Sequence, residues 1–290
     1  MKKIKSYIKL MRPKHYIKNF LILLPLIFSK SFFYTDKLII AILGMGIFCL
    51  ISSIVYIIND IKDVEKDRNH PIKKNRPIAN GDIKIKEAVG CACTIFIITI
   101  LIIFGCYNKY KIPLLTVAVY LILYFMLNVA YSFGLKNKPI VDIIILVSGF
   151  LIRILFGGAI IQVEISNWLY LTIISGAFYM SFGKRRNELL KHDKSNTRNV
   201  LKFYTKDFLD KNMNMFLGLT ICFYALWAMN NEKEVMIWTV PLVMITILKY
   251  SYDIEENESE GDPVNVILND KWLILLSMIY MITVSIILCF

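Results

Sequence analysis

Long uninterrupted apolar stretches alternate with short polar breaks along almost the whole chain. About 17–25 apolar residues in helical form cross a bilayer. Stretches of this kind are expected near residues 19–35, 38–58, 88–106, 112–131, 139–161, 167–183, 213–230, 234–250 and 272–289. They lack the period-two alternation of a barrel strand, and an open sheet would leave backbone groups unpaired in hydrocarbon. The pattern therefore predicts an all-α integral membrane protein with nine transmembrane helices, although Pro25 interrupts the first stretch. Polar sequence collects in three longer connections, at about 59–87, 184–212 and 251–271, within a single polytopic membrane domain spanning 1–290. Two of these connections follow the second and sixth spans. That spacing hints at related halves, but no sequence repeat accompanies it.

Composition supports the membrane class, with 57% hydrophobic residues and a mean hydropathy of +0.56 over 290 residues. The basic start lacks a small-residue cleavage site after a short apolar core, so no cleavable signal peptide is expected. Net charge is +12, a value that can indicate nucleic-acid binding. Here the cations follow topology instead. Seven Lys and Arg precede the first span, eight lie between residues 59 and 87, and nine between 183 and 212, against five on the opposite side. The positive-inside rule then puts the N-terminus and the large loops in the cytoplasm, with the chain in the inner membrane. Nucleic acid is excluded as the reason for the charge. The six cysteines all fall in predicted spans without a Cys-x-x-Cys pair, which reads as apolar filling rather than disulfides or zinc.

The chemistry concentrates where the second span ends. At about 100° per helical residue, Asn59, Asp60, Asp63 and Asp67 fall within roughly a 100° arc of one helix face. Carboxylates stacked so closely repel one another unless a cation lies between them. Hard oxygen donors of this type suit Mg2+, which shares its coordination shell readily with substrate phosphates. The alternative is an ordinary solvated helix end. Downstream, Arg68, Lys73 and Arg76 lie on a loop broken by Pro71 and Pro77, so the cations are able to fold back over the acidic face. These groups suit phosphate, although positive-inside anchoring also explains a basic loop. His70 reads as a loop residue.

Three further groups carry possible ligand contacts. Tyr131 to Lys136 end the fourth span, in the manner of an interfacial anchor. Arg153 sits about halfway along an apolar span, where a charge costs at least about 2.5 kcal/mol, so it should face a polar cavity or an anionic partner. Asp142 shares its helix face three turns away and is one such partner, a structural ion pair being the plain alternative. Gly183-Lys184-Arg185-Arg186 ends the sixth span as a second, basic patch. One acidic and one basic helix end suit an enzyme that brings together two anionic substrates. The acidic segment Asp253 to Asp270 reads as a solvated turn, with positioning of a sugar hydroxyl or completion of a metal shell as the alternative.

With these residues in view, the chain resembles the UbiA superfamily of intramembrane prenyltransferases, through an Asn-Asp-x-x-Asp-x-x-x-Asp motif matched at Asn59, Asp60, Asp63 and Asp67. Superfamily members commonly carry a second Asp-rich motif after the sixth helix. This chain has Gly183-Lys184-Arg185 there instead. It is more similar to the decaprenyl-phosphate phosphoribosyltransferase branch, in Arg12-Pro13, Lys18-Asn19, His70-Pro71, Lys73, Arg76-Pro77, Phe133-Gly134-Leu135-Lys136, Leu151-Ile152-Arg153, Gly157-Gly158, Leu226-Trp227-Ala228 and Pro263. The resemblance implies a nine-helix bundle with a cytoplasm-facing cavity. It also implies transfer of 5-phosphoribosyl from phosphoribosyl diphosphate to a polyprenyl phosphate, decaprenyl or undecaprenyl, for cell-wall or envelope glycan synthesis.

In that reading Asp60, Asp63 and Asp67 are catalytic, and with Asn59 they bind Mg2+. Lys18, Arg68, Lys73, Arg76, Tyr131, Lys136, Arg153, Lys184 and Arg185 contact the substrate phosphates. Homo-oligomerisation is left open. One rival is a prenyltransferase acting on an aromatic acceptor, which should prefer the missing second acidic motif. The other is a transporter whose Arg153 binds an anion, a reading that leaves the Asp face unexplained.

Overall fold

Apolar sequence at bilayer depth must satisfy its backbone internally, and the chain does so as helices throughout. The structure, a computed structural model, describes residues 2–71, 73–191, 199–256 and 263–289, and no strand occurs among them. In chain order the helices are α1 (Lys2–Met11), α2 (Leu24–Phe28), α3 (Thr35–Lys62), α4 (Val64–Arg68), α5 (Ile85–Tyr110) and α6 (Leu114–Ser132). They continue as α7 (Val141–Ile160), α8 (Asn167–Lys191), α9 (Lys206–Met229), α10 (Val240–Glu256), α11 (Pro263–Asn269) and α12 (Lys271–Cys289). A 3-10 helix, Pro13–Leu23, joins α1 to α2.

Among the described residues, seven helical segments are long and apolar enough to cross a membrane: Thr35–Lys62, Ile85–Tyr110, Leu114–Ser132, Val141–Ile160, Lys206–Met229, Glu234–Glu255 and Lys271–Cys289. Two expected spans differ from this count. The stretch at 19–35 is divided between the 3-10 helix, the five-residue α2 and a second 3-10 turn, Ser31–Phe33. Pro25 sits in the first turn of α2, where its missing N–H costs no helical bond. The stretch at 167–183 is helical, as the first part of α8, but that helix runs directly into Lys184, Arg185 and Arg186.

Two compact units divide the chain. The first comprises Met1–Leu26, Ser31–Gly134 and Ile152–Glu164. Its core gathers Ile22, Ile47, Phe48, Ile57, Phe156 and Ile160. One position there demands glycine: a Cβ on Gly157 would collide with the backbone carbonyl of Ile22, so the second half of α7 lies directly against the 3-10 helix. The second unit comprises Ile27–Lys30, Leu135–Leu151 and Ile165–Phe290. Helices α8 and α9 pack together there, with Val147, Ala177, Tyr179, Leu209 and Ile254 in one core and Tyr224, Trp227, Met236 and Val284 in another. Residues 257–262 of the acidic segment lie outside the described residues, as do 192–198 of the second large loop.

Candidate active site

The acidic face forms as the 3.6-residue period requires. Helix α3 ends at Lys62, yet the i to i−4 bonds run on, from Asp63 N–H to Asn59 O at 2.9 Å and from Asp67 N–H to Asp63 O at 2.8 Å. The short α4 therefore continues the same face. Asp60 and Asp67 are buried at 2% and 3% exposure, whereas Asn59 and Asp63 are half-buried. Buried carboxylates need partners, and two guanidiniums supply them. Arg76 donates to Asp67 at 2.6 Å and to Asp60 at 3.1 Å through the same Nη1 atom. Arg12 donates to the same Asp60 oxygen that receives Arg76.

The basic loop thus folds back over the acidic helix, with Arg76 as the residue that makes the return. Its turn is held locally, the Arg76 N–H bonding to Lys73 O at 2.9 Å. His70 is a loop residue, its Nδ1 accepting from the Lys73 N–H at 3.3 Å. Arg68 is exposed and bonds to the Ala79 carbonyl at 3.4 Å, while Lys73 is half-buried. Lys18 is half-buried on the 3-10 helix. Within the motif, between Asp60 and Asp63, Lys62 donates to the Ser132 carbonyl at 2.7 Å and lies 3.6 Å from the Phe133 ring centroid. That contact ties the acidic helix end to the end of α6, which carries the half-buried Tyr131; Lys136, half-buried as well, belongs to the second unit. Gly134 makes the turn out of α6 at φ 135°, a conformation that L side chains rarely adopt.

Arg153 lies deeper in the first unit, buried at 5% exposure. It donates to Asn19 Oδ1 at 2.8 Å and to the Tyr124 hydroxyl at 3.0 Å, and its guanidinium stacks near the rings of Phe48 and Tyr124. The polar surroundings expected of it are present, but they are Asn19 and Tyr124. Asp142 is committed elsewhere, to Arg185.

The basic end of α8 also differs from expectation. Arg185 has no exposed side-chain surface and is ion-paired with Asp142 at 2.5 Å and with Glu188. The Tyr204 hydroxyl completes the group by donating to Asp142 at 2.6 Å. Arg186 pairs with Asp210. A cation enclosed by two carboxylates ties α7 to α8 within the second unit. Lys184, next in the chain, is half-buried. The ends of the acidic segment are likewise paired, Lys249 bridging Asp253 and Asp270.

Residues that sequence reasoning left out of the site are Arg12, Asn19 and Tyr124. Arg12 lay inside a recognised motif, and its signal was its place before Pro13, which disfavours the right-handed helical region for it. Among the described residues no group of three or more His, Cys, Asp or Glu is arranged to hold a metal ion. The donor chemistry nevertheless fits a hard divalent cation, since Asn59, Asp60, Asp63 and Asp67 offer oxygen on one continuous helical face.

A family model described as "UbiA prenyltransferase family" matches residues 21–287. The chain belongs to the UbiA prenyltransferase family. As a UbiA-family protein it is a transferase built as a multi-pass membrane protein. A Corynebacterium glutamicum protein named decaprenyl-phosphate phosphoribosyltransferase is 32% identical over 93% of this chain and 83% of its own length. Its namesake in Mycolicibacterium smegmatis is 30% identical over 97% and 92%. Among solved structures, a UbiA homolog from Archaeoglobus fulgidus bound to GPP and Mg2+ superposes with a TM-score of 0.72 at 18% identity, covering 98% of this chain and all of that one. That likeness establishes the UbiA fold.

Proposed function

We propose that this UbiA-family protein transfers 5-phosphoribosyl from phosphoribosyl diphosphate to a polyprenyl phosphate and releases diphosphate. The observation that carries the reading is the 32% identity, over 93% of the chain, to a relative named decaprenyl-phosphate phosphoribosyltransferase. In the reaction the bond between ribose C1 and the diphosphate oxygen breaks, and C1 bonds to an oxygen of the lipid phosphate. That oxygen is already ionised near neutral pH, so no strong general base is needed.

Asn59, Asp60, Asp63 and Asp67 are the residues that would hold Mg2+. Bound there, the ion would offset the charge that develops on the departing diphosphate. Arg68, Lys73 and Arg76 lie on the loop beside this face and are assigned to the donor phosphates. Lys18, Tyr131, Lys136 and Lys184 are assigned to the lipid phosphate or the donor's 5-phosphate. Arg153 supports the site by holding Asn19 and Tyr124. The charge asymmetry of the loops supports a cytoplasmic N-terminus and a site facing the cytoplasm in the inner membrane.

The test is a two-phase assay with purified protein, Mg2+, labelled phosphoribosyl diphosphate and undecaprenyl phosphate. Label entering the lipid phase supports the reading. Its absence there, with a prenylated aromatic product under parallel conditions, contradicts it.

A further inference from the structure

The chain enters α7 through a strained turn. The Val141 N–H bonds to Pro139 O at 2.8 Å, and the residue between them, Ile140, has φ 68°. A bond from residue i to i+2 around a positive φ marks the rarer, strained kind of three-residue turn. Isoleucine suits it poorly. Among the described residues five non-glycine positions have positive φ, and Ile140 is the only β-branched one of them. Its side chain is 54% exposed, so burial of that side chain does little to offset the strain.

A side chain 64 residues later holds the turn. The Ile140 N–H donates to the Tyr204 hydroxyl at 2.6 Å, and that hydroxyl donates in turn to Asp142 Oδ1 at 2.6 Å. One phenol thus clasps both the centre of the turn and the second residue of α7. Asp142 is itself fixed by the buried Arg185. Tyr204 directly follows a 3-10 turn, Asn199–Phe203, which packs against another, Leu135–Asn137. All of these residues belong to the second unit. Lys136 lies in the second of those turns, four residues before Ile140. Backbone bonds run on from it, Lys138 N–H to Leu135 O at 3.1 Å and Asp142 N–H to Lys138 O at 3.1 Å. The φ of Ile140 therefore sets how the Lys136 turn is presented.

We propose that Tyr204 is a positioning residue for the reaction: its hydroxyl holds Ile140 in the strained turn and thereby sets Lys136 for a substrate phosphate. This rests on the assignment of Lys136 to such a phosphate. Without the clasp, isoleucine returns to negative φ, which it favours at least about fivefold in population. Glycine has no such preference, because it populates both signs of φ about equally. Substrate affinity falls with the fraction of molecules left in the competent conformation.

The experiment measures KM for undecaprenyl phosphate and for phosphoribosyl diphosphate with the detergent-solubilised full chain and Mg2+, below the unfolding midpoint of every variant. Lys136→Met identifies which of the two substrates the lysine serves. Tyr204→Phe should raise KM for that same substrate at least about fivefold and leave the other unchanged. Adding Ile140→Gly to Tyr204→Phe should return it to within about twofold of the wild type. An unchanged KM in Tyr204→Phe, a rise for both substrates, or no recovery with Ile140→Gly overturns the proposal. A merely structural bond would lower the amount of folded enzyme without selecting a substrate. Should Tyr204→Phe fail to fold, Ile140→Pro serves, since proline fixes φ near about −65° and leaves Arg185, Asp142 and Tyr204 in place. The same KM should rise at least about fivefold there, and an unchanged KM overturns the proposal. Wild-type protein that passes no label to the lipid defeats the functional reading itself, and the proposal with it. Wild-type KM values for both substrates in Lys136→Met defeat the assignment of Lys136, with the same consequence.

Discussion

Arg185 and Asp142, 43 residues apart in the chain, form an ion pair in which neither side chain has any exposed surface. Glu188 and Tyr204 close the remaining sides of the group. Removing one partner from such a pair leaves a buried charge unanswered, at a cost of about 3–5 kcal/mol. Asp142→Asn should therefore lower the thermal unfolding midpoint of the detergent-solubilised protein markedly. A midpoint equal to the wild type would contradict the structural role given to Arg185.

Tyr204 adds a pH dependence to the same group. Burial, and then its hydrogen bond to the Asp142 carboxylate, hold the phenol well above its ordinary range. In the unfolded chain the phenol ionises near pH 10. Its contribution to stability is thus complete below about pH 10 and declines as the pH rises further, because the unfolded state alone releases the proton. Tyr204→Phe should flatten that alkaline decline while costing about 1.5–3 kcal/mol at neutral pH, the worth of a hydrogen bond to a charged group. Unfolding midpoints compared at pH 8 and above pH 10 read both effects.

Gly157 and Gly105 make a matched pair. A Cβ at Gly157 strikes the Ile22 carbonyl, whereas one at Gly105 meets nothing within 4 Å. Gly157→Ala should destabilise by about 1–3 kcal/mol through overpacking. Gly105→Ala should be neutral or stabilising by up to about 1 kcal/mol, from the lower backbone entropy of alanine in a helix. Equal thermal shifts in the two variants would show that the close approach of α7 to the 3-10 helix is not what selects glycine.

Asp63 tests the acidic face at a half-buried position that lies, in sequence, between the two carboxylates that Arg76 bridges. Asp63→Asn should lower turnover at least about tenfold with little change in the unfolding midpoint. Wild-type turnover would remove Asp63 from the site.

Much of this architecture was legible in the chain because its signals are local. The 3.6-residue period alone aligns Asn59, Asp60, Asp63 and Asp67, and the observed bonds from Asp63 to Asn59 and from Asp67 to Asp63 preserve that alignment. Pro71 and Pro77 marked the loop that carries Arg76 back to the carboxylates. What escaped the reading was long-range pairing. Asp142 shares a helix face with Arg153, and that periodicity says nothing of a cation on α8, so the true partner Arg185 stayed hidden. The break-up of the 19–35 stretch was obscured for a different reason. Hydropathy registers apolar character equally in a 3-10 run, a five-residue helix and a continuous span. Arg12 was missed as a counter-ion because its left-handed backbone has no composition signal beyond the proline that follows it.

The central claim concerns the donor, and mass spectrometry of the lipid product tests it most directly. Purified protein with Mg2+ and a polyprenyl phosphate is given phosphoribosyl diphosphate and a prenyl diphosphate together, with an aromatic acceptor also present. The account predicts a polyprenyl phosphate that has gained one phosphoribosyl unit, and no prenylated aromatic. A prenylated aromatic with the lipid phosphate unchanged would contradict it.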